Sequence, residues 1–328
     1  MMELLKRLSE SFGPSGHETR VANLIVEEIK GYCDEIFIDK LGNVIALKKG
    51  QSDKKIMYAS HIDEIGLLVT YIEKEGFLRF TNIGGVSPYI LLGQRVKLDC
   101  GVIGVIGSEK ITDISKLTLD KMFIDIGVNS KEEAEKLISI GEVAVIHREF
   151  ENKGDKVIGK ALDDRAGCWV LINALKQIKN PEHNLYFVFT VQEEVGLRGA
   201  KTAAYRIDPD LAIAVDVTAV GDTPKAHRMA VELGKGPAIK VKDMSIMVHP
   251  MVKDMLIKKA RELSIPYQLE VLEFGGTDSG AIHVSREGVW AGVVSIPCRY
   301  IHTPSEMVSV DDLNNAVKLI VASTEFEF

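Results

Sequence analysis

The sequence predicts an α/β protein in which one α/β domain is split by a β-rich insertion. Two observations lead to this prediction. Amphipathic helical segments alternate with apolar strand-like segments at the beginning of the chain and again from Ala161 onward. Between about residues 67 and 151 the pattern changes to short strand-like runs separated by glycines and turn residues. A chain of 328 residues is long enough for two such units.

The first part of the chain predicts two helices followed by two strands. Leucines and a phenylalanine share one face of residues 2–12, and a second apolar face recurs over residues 17–29. The runs NVIALKK and KKIMYASHID then have the apolar character of strands. The polar residues of the second run collect at its carboxyl end, where open α/β sheets place ligands and catalytic groups.

The insertion predicts a small barrel or sandwich. Its strand-like runs are LLVTYI, FLRFTNI, QRVKLD and GVIGVIG, and one helix-like stretch, SKEEAEKLISI, interrupts them. After the insertion we expect a helix at 169–178, strands at NLYFVFTVQEE and LAIAVDVT, and a helix at HPMVKDMLIKKARELS. A strand at VWAGVVSIPC and a final helix from Val310 complete the predicted elements.

Composition excludes two classes of partner. The net charge of −7 provides no basic surface of the kind that nucleic-acid binding requires. No apolar run is long enough to cross a bilayer, and the N-terminal segment lacks the apolar core of a signal peptide. The four cysteines lie far apart without a CxxC pair, so we expect free thiols. These features predict a cytoplasmic protein.

Five polar clusters lie where apolar strands end, and each alone has an ordinary structural explanation. They are HIDE at 61–64, DDR at 163–165, QEE at 192–194, Asp216 within VDV, and His302 within RYIHTP. A histidine in such a place is more often hydrogen-bonded than a ligand, and an aspartate often caps a helix. Asp216 is different because it interrupts an apolar run. A buried carboxylate there must be paired, protonated or bound to a metal.

Together the clusters indicate a metal site, because so many acids would repel one another without cations. Imidazole nitrogens and carboxylate oxygens suit zinc, cobalt or manganese. Neighbouring side chains in extended chain point to opposite sides, so one of Glu193 and Glu194 can hold a metal while the other faces the substrate. His61 and Asp63 point the same way, so Asp63 can accept the second N–H of His61.

Seven motifs, in order along nearly the whole chain, carry a family resemblance. They are SFGPSGHE (11–18), HIDEIG (61–66), GKALDDRAGC (159–168), QEEVGLRGA (192–200), AVDVT (214–218), FGGTDS (274–279) and RYIHTPSE (299–306). The set resembles the tetrahedral, or glutamyl-type, aminopeptidases of metallopeptidase clan MH. The resemblance implies a mixed-sheet α/β/α zinc-peptidase domain formed by residues 1–66 and 154–328. A barrel or PDZ-like dimerisation domain at 67–153 would interrupt it, and dimers would assemble into a dodecamer.

The resemblance also implies two divalent ions per subunit, zinc or cobalt or manganese. Asp163 would bridge the two ions. His61 and Asp216 would complete one site, whereas Glu194 and His302 would complete the other. A water shared by the two ions would then attack the peptide carbonyl.

Further roles follow from the same resemblance. Glu193 would be the general base that takes a proton from the water and returns it to the leaving amine. Asp63 would lie behind the histidine ligand, and the peptide bond between Asp163 and Asp164 is expected to be cis. The role of Asp278 in FGGTDS stays open, because a structural loop and a substrate contact explain it equally well.

The predicted activity is removal of the N-terminal residue from short peptides, and three alternatives stay open. A deacylase or carboxypeptidase of the same clan would use the same ligands on a different amide. An endoglucanase needs a carboxylate pair without a metal, and the two tryptophans, Trp169 and Trp290, lie in apolar segments that predict core positions. A metal-binding scaffold without activity would have no need for Glu193.

The preferred N-terminal residue is not predicted by the sequence. Lys225, His227 and Arg228 could supply positive charge for an acidic side chain, although a solvated loop is the simpler interpretation of that segment.

Overall fold

The computed structural model describes residues 2–328 and contains an eleven-stranded sheet and a closed six-stranded barrel. In chain order the strands are β1 (Glu35–Ile38), β2 (Val44–Lys48), β3 (Lys55–His61), β4 (Gly66–Ile72), β5 (Leu78–Ile83), β6 (Arg95–Leu98), β7 (Ile103–Ser108), β8 (Met122–Asp125), β9 (Val143–Ile146), β10 (Glu151–Asn152), β11 (Lys156–Gly159), β12 (Asn184–Thr190), β13 (Leu211–Thr218), β14 (Ala238–Lys242), β15 (Gln268–Val271), β16 (Trp290–Arg299) and β17 (Glu306–Ser309). The helices are α1 (Glu3–Glu10), α2 (Thr19–Ile29), α3 (Lys131–Glu135), α4 (Leu162–Gln177), α5 (Arg198–Ile207), α6 (Pro250–Glu262), α7 (Ser279–Ile282) and α8 (Val310–Ser323).

The large sheet is mixed, with parallel strands at its centre. Its order is β1-β2-β12-β3-β13-β16-β17-β11-β10, and β14 pairs with both β15 and β16. The four central strands, β12, β3, β13 and β16, run parallel, whereas the pairs toward both edges are antiparallel. Parallel strands end at the same edge of a sheet, so the residues that follow β3, β12 and β16 lie side by side.

Helices cover both faces of this sheet, which confirms the predicted α/β/α arrangement. Strand β3 shows why, because Ile56 and Tyr58 pack into the apolar cluster of one face while Met57 and Ala59 pack into the cluster of the other. Helices α1, α2, α4, α6 and α8 contribute to the first cluster, and α5 and α7 to the second. Helix α5 was not among the predicted elements.

The insertion is a closed barrel, so the sandwich alternative is wrong. The strand order is β4-β5-β8-β7-β6-β9, and alternate apolar side chains fill its own core, separate from the two cores of the large sheet. Helix α3 is shorter than the predicted SKEEAEKLISI helix. The chain leaves the helix after Glu135 and turns, which places Ile138 in the barrel core.

Two further local predictions are corrected by the structure. Helix α4 begins at Leu162 rather than at residue 169, because the DDRAGC motif itself forms its first turns. Trp169 is buried as predicted, but Trp290 is 37% exposed because it is the first residue of β16 and lies outside the buried middle of that strand.

All four cysteines are free, and Cys100 is exposed. Among residues 2–328, no helix has both the length and the apolarity to span a membrane.

Candidate metal centre

The predicted polar clusters meet at the carboxyl edge of the central parallel strands. Strand β3 ends at His61, which pairs in register with Thr190 at the end of β12, two residues before the QEE segment begins at Gln192. Asp216 lies near the end of β13, and His302 follows β16. Asp163 enters the same place from the first turn of α4, where its φ of −78° and ψ of 104° interrupt the helical backbone.

Asp163 lies between the two histidines. Its Oδ1 is 3.0 Å from Nε2 of His61, and its Oδ2 is 3.2 Å from Nε2 of His302. One carboxylate therefore presents one oxygen to each imidazole, which is the arrangement that a bridging ligand needs.

The remaining predicted ligands complete two neighbouring groups of donors. Oδ1 of Asp216 is 3.8 Å from Nε2 of His61, and Oε1 of Glu194 is 3.0 Å from Nε2 of His302. Two groups of residues could each hold a metal ion, because the donor atoms within each group lie within 4.8 Å of one another. One group is His61, Asp164 and Asp216, and the other is His61, Asp163 and Glu194.

Asp164 has a second use that competes with metal binding. Its Oδ1 accepts the backbone N–H of Gly167 at 3.0 Å, and its Oδ2 accepts the hydroxyl of Ser60. Of the two aspartates, Asp164 is therefore the one that accepts a backbone hydrogen bond within the first turns of α4, whereas the N-cap position itself is Ala161. The peptide bond between Asp163 and Asp164 is cis, as predicted.

Asp63 holds the loop that carries the two glutamates. Its carboxylate accepts the backbone N–H of Glu193 at 2.9 Å, the backbone N–H of Glu194 at 3.2 Å and the hydroxyl of Ser15 at 2.6 Å. Nδ1 of His61 lies 3.2 Å from the carbonyl oxygen of Asp63 and 3.5 Å from its carboxylate. Asp63 thus orients the QEE loop as well as His61. The contact with the QEE loop was not predicted from the sequence.

Glu306 is a site residue to which sequence reasoning assigned no role. Its Oε2 accepts the backbone N–H of Asp163 at 2.9 Å, and its Oε1 accepts the backbone N–H of His302 at 2.8 Å. The side chain is buried, with 2% exposure. One carboxylate therefore joins the segments that carry the central aspartate and the second histidine. The signal was present as the acid four residues after His302 in RYIHTPSE.

The barrel also reaches the centre, through Gly84 and Gly85 in the loop after β5. A Cβ atom on Gly85 would lie 2.8 Å from Nδ1 of His302, and one on Gly84 would lie 3.1 Å from Cβ of Glu194. Only residues without side chains leave room for the ligands at this distance. The two adjacent glycines of NIGG were the only hint of this contact in the sequence. They lie within the insertion, and their pattern does not show that they meet residues of the metal centre.

Comparison with known proteins decides the family. The family model described as M42 glutamyl aminopeptidase matches residues 42–319. The chain belongs to the M42 glutamyl aminopeptidase family. It is 38% identical to the lysyl aminopeptidase of Pyrococcus furiosus, over 98% of this chain and 96% of that protein.

Solved structures of aminopeptidases agree with this assignment. Aminopeptidase APDkam598 of the archaeon Desulfurococcus kamchatkensis is 44% identical, with a TM-score of 0.96 over 99% of this chain and 94% of that one. The TET1 peptidase of Pyrococcus horikoshii is 35% identical, with a TM-score of 0.89 over 100% and 99% of the two chains. As a member of the M42 family the chain is a metal-dependent aminopeptidase, which confirms the predicted activity.

The charge balance of this M42 site favours cations. Burial raises the pKa of Glu193, Glu194 and Asp216. For His61 and His302 burial acts to lower the pKa, but the neighbouring carboxylates outweigh it and raise the pKa. Carboxylates thus outnumber the positive groups around them, and a divalent ion would stabilise their ionised forms.

The donor set fits a divalent ion. Imidazole nitrogens and carboxylate oxygens converge, which suits zinc, cobalt or manganese. In addition, Oε1 of Glu194 is buried, and although Nε2 of His302 lies 3.0 Å away, no residue in the described range 2–328 donates to it a hydrogen bond of good geometry. An unbonded, buried carboxylate oxygen is unfavourable unless a cation lies against it.

Asp278, whose role the sequence left open, lies behind the QEE loop. The hydroxyl of Thr190 donates a hydrogen bond to its Oδ2, while Oδ1 is buried without a partner within residues 2–328. Burial raises the pKa of Asp278 to about 6. The hydrogen bond from Thr190 joins the Asp278 side chain to the end of β12. The geometry therefore supports a structural role for Asp278.

Proposed function

We propose that this aminopeptidase removes N-terminal residues from short peptides with two divalent ions. The observation that carries the proposal is the position of Asp163, whose two carboxylate oxygens face different histidines. His61 and Asp216 would hold one ion with it, and Glu194 and His302 would hold the other. When bound, such a pair lowers the pKa of a shared water and polarises the substrate carbonyl.

Glu193 is the residue that moves the proton in this proposal. It lines the same cavity as the proposed ligands, and its backbone N–H is held by the carboxylate of Asp63. Neither of the two groups that could hold a metal ion includes it. A carboxylate whose pKa is raised by burial takes up a proton from water more readily than an exposed one. Glu193 then returns that proton to the leaving amine, so the peptide C–N bond breaks as a neutral amine departs.

The barrel has the second proposed role. The TET1 peptidase of Pyrococcus horikoshii can assemble into a tetrahedron or a large octahedral shell. We infer that residues 67–153 form a dimerisation domain beside a catalytic domain of 1–66 and 154–328. Dimers would build a dodecamer in which only short peptides reach the active sites.

The test is hydrolysis of unblocked aminoacyl chromogenic amides after chelation and after adding back zinc, cobalt or manganese. N-acetylated amides and carboxymethylcellulose run alongside. Metal-dependent cleavage of the unblocked amides alone, with two ions bound per subunit, supports the proposal. Turnover of the acylated amides would instead indicate a deacylase, and turnover of carboxymethylcellulose an endoglucanase.

A further inference from the structure

The cavity beside the metal centre has an apolar wall. Its volume is about 720 Å³, and beyond the ligand residues its lining includes Val220, Leu272 and Phe274. Val220 and Leu272 are 9% and 8% exposed, whereas Phe274 is 46% exposed and lies toward solvent. Val220 is held in place by packing against Val231 and Ala238. The wall therefore offers a defined apolar surface to a substrate side chain.

Arg299 is one of two basic side chains, apart from the histidines, that line this cavity within residues 2–328. Its Nε lies 2.9 Å from Oδ1 of Asp222, and its second guanidinium nitrogen lies 2.8 Å from Oδ2. This two-pronged pair occupies one edge of the guanidinium and balances its charge, which weakens the attraction of Arg299 for a substrate carboxylate.

Lys240 is the other basic side chain in the lining, and it too is paired. Its Nζ lies 2.7 Å from Oε1 of Glu270 and 3.3 Å from Oδ2 of Asp243, and all three residues are buried. One positive and two negative groups give this trio a net charge of −1. Neither acid lines the cavity, so the lysine that does line it is already paired with two buried carboxylates.

The basic loop that the sequence left open does not change this balance. Lys225, His227 and Arg228 are exposed and do not line the cavity. His227 lies 3.3 Å from the carboxylate of Glu273 instead. The solvated-loop interpretation of this segment therefore agrees with the geometry.

We propose that this cavity selects an uncharged aliphatic or aromatic N-terminal side chain, with Asp222 and Glu270 as specificity-determining residues. The inference rests on the aminopeptidase function proposed above. An acidic side chain would lose its water against a wall whose cations are already paired. A basic side chain would meet no carboxylate there beyond the proposed metal ligands and the proposed base, because within residues 2–328 the lining acids are Asp163, Glu193, Glu194 and Asp216. An apolar side chain instead gains by burial against Val220 and Leu272.

The experiment compares leucine, phenylalanine, glutamate and lysine p-nitroanilides with the metal-loaded enzyme. We expect kcat/KM for leucine to exceed that for glutamate and for lysine by on the order of 100-fold. Binding of free leucine, glutamate and lysine is measured by calorimetry on the same preparation. That measurement reports on the pocket even if no amide is hydrolysed, so failure of the proposed function and failure of this inference are distinguishable.

The decisive variant is Asp222→Asn, which keeps the shape of the side chain but frees the charge of Arg299. We expect the glutamate-to-leucine ratio of kcat/KM, and of affinity, to rise by about tenfold. Partial unfolding or incomplete metal loading cancels in such a ratio. The matched control is Asp210→Asn, which removes the same charge from the Lys54–Asp210 pair without affecting the cavity lining.

A second variant, Phe274→Arg, adds a cation at the exposed rim without altering the Arg299–Asp222 pair, and should raise the same ratio. Preferred binding of glutamate or lysine by the unaltered enzyme would overturn the proposal. An Asp222→Asn enzyme whose glutamate-to-leucine ratio equals that of the Asp210→Asn control would also overturn it. If Asp222→Asn does not fold, the same comparison is made with the Phe274→Arg enzyme.

Discussion

The two halves of the candidate metal centre are built on different kinds of backbone. His61 is the last residue of β3 and Asp216 lies within β13, and both are buried, with 2% and 6% exposure. We call these two residues the sheet half. Glu194 and His302, the loop half, lie outside strands and helices, and His302 has a φ of 60° and a side chain that is 33% exposed.

This difference shows where the geometry of each half comes from. The hydrogen bonds of a central parallel sheet position the sheet half, and those bonds join backbone groups rather than ligands. The loop half instead depends on contacts from separate segments, chiefly Asp63, Glu306 and the Gly84–Gly85 backbone. We therefore expect residues that only orient the proposed ligands to affect metal affinity more in the loop half than in the sheet half.

The largest effect on metal affinity is expected at Asp163, the proposed ligand that both halves share. Asp163→Asn should weaken both ions by more than the roughly 10- to 100-fold typical of a residue that only orients a ligand. Asp216→Asn should weaken only the ion of the sheet half. Equilibrium dialysis with cobalt, followed by mass spectrometry of the metal content, measures both. Two fully occupied sites in the Asp163→Asn protein would refute the bridging assignment.

Glu193 belongs to neither half, so its removal should separate chemistry from metal binding. Glu193→Gln should lower kcat by roughly 100- to 10,000-fold, the usual contribution of a general base, while metal content and assembly stay unchanged. Steady-state kinetics and metal analysis of the same sample provide the check. Glu35→Gln, a change on the exposed edge strand β1, is the control. A Glu193→Gln enzyme with normal turnover would exclude this residue as the base.

Glu306→Gln tests the support of the loop half. An amide can accept only one of the two backbone N–H groups and directs an N–H toward the other, so His302 or Asp163 loses its hydrogen bond. We expect the affinity for the ion of the loop half to fall roughly 10- to 100-fold, and the affinity for the other ion to fall less, because Glu306 reaches that ion only through the shared Asp163. Titration with cobalt, followed by visible absorption, distinguishes the two ions. Equal weakening of both would contradict the separate-support model, and Glu325→Gln controls for loss of charge.

The smallest expected effect comes from the barrel. In Gly85→Ala the new methyl group would lie 2.8 Å from Nδ1 of His302, so the ring must shift by a few tenths of an ångström. Affinity for the ion of the loop half should fall about tenfold, by analogy with other losses of ligand orientation. Ser87→Ala in the same loop, where the side chain caps no helix, is the control. An unchanged cobalt spectrum would mean that the barrel does not restrain this histidine.

Much of this protein follows from local sequence pattern. Nearly continuous apolar runs predict β3, β12, β13 and β16, and the polar residues toward their carboxyl ends predict which side chains meet. Asp163, Glu194 and His302 could therefore be proposed as ligands, because acids and histidines that follow buried strands converge at one edge of a parallel sheet. The motif resemblance then ordered their roles. Helix α5 was missed, since the predicted helices were found from larger apolar residues and this one buries mainly alanines.

Only the tertiary structure decided how the centre is held and what its cavity admits. Glu306 lies 143 residues from Asp163 along the chain, and Gly85 belongs to a different folding unit from His302. The pairing of Arg299 with Asp222 spans 77 residues. No periodicity or spacing records such contacts, because they arise when separate loops are brought together by the sheet. The sequence by itself determined which residues can be proposed as metal ligands, and the packing of distant loops decided their orientation and the charge of the pocket beside them.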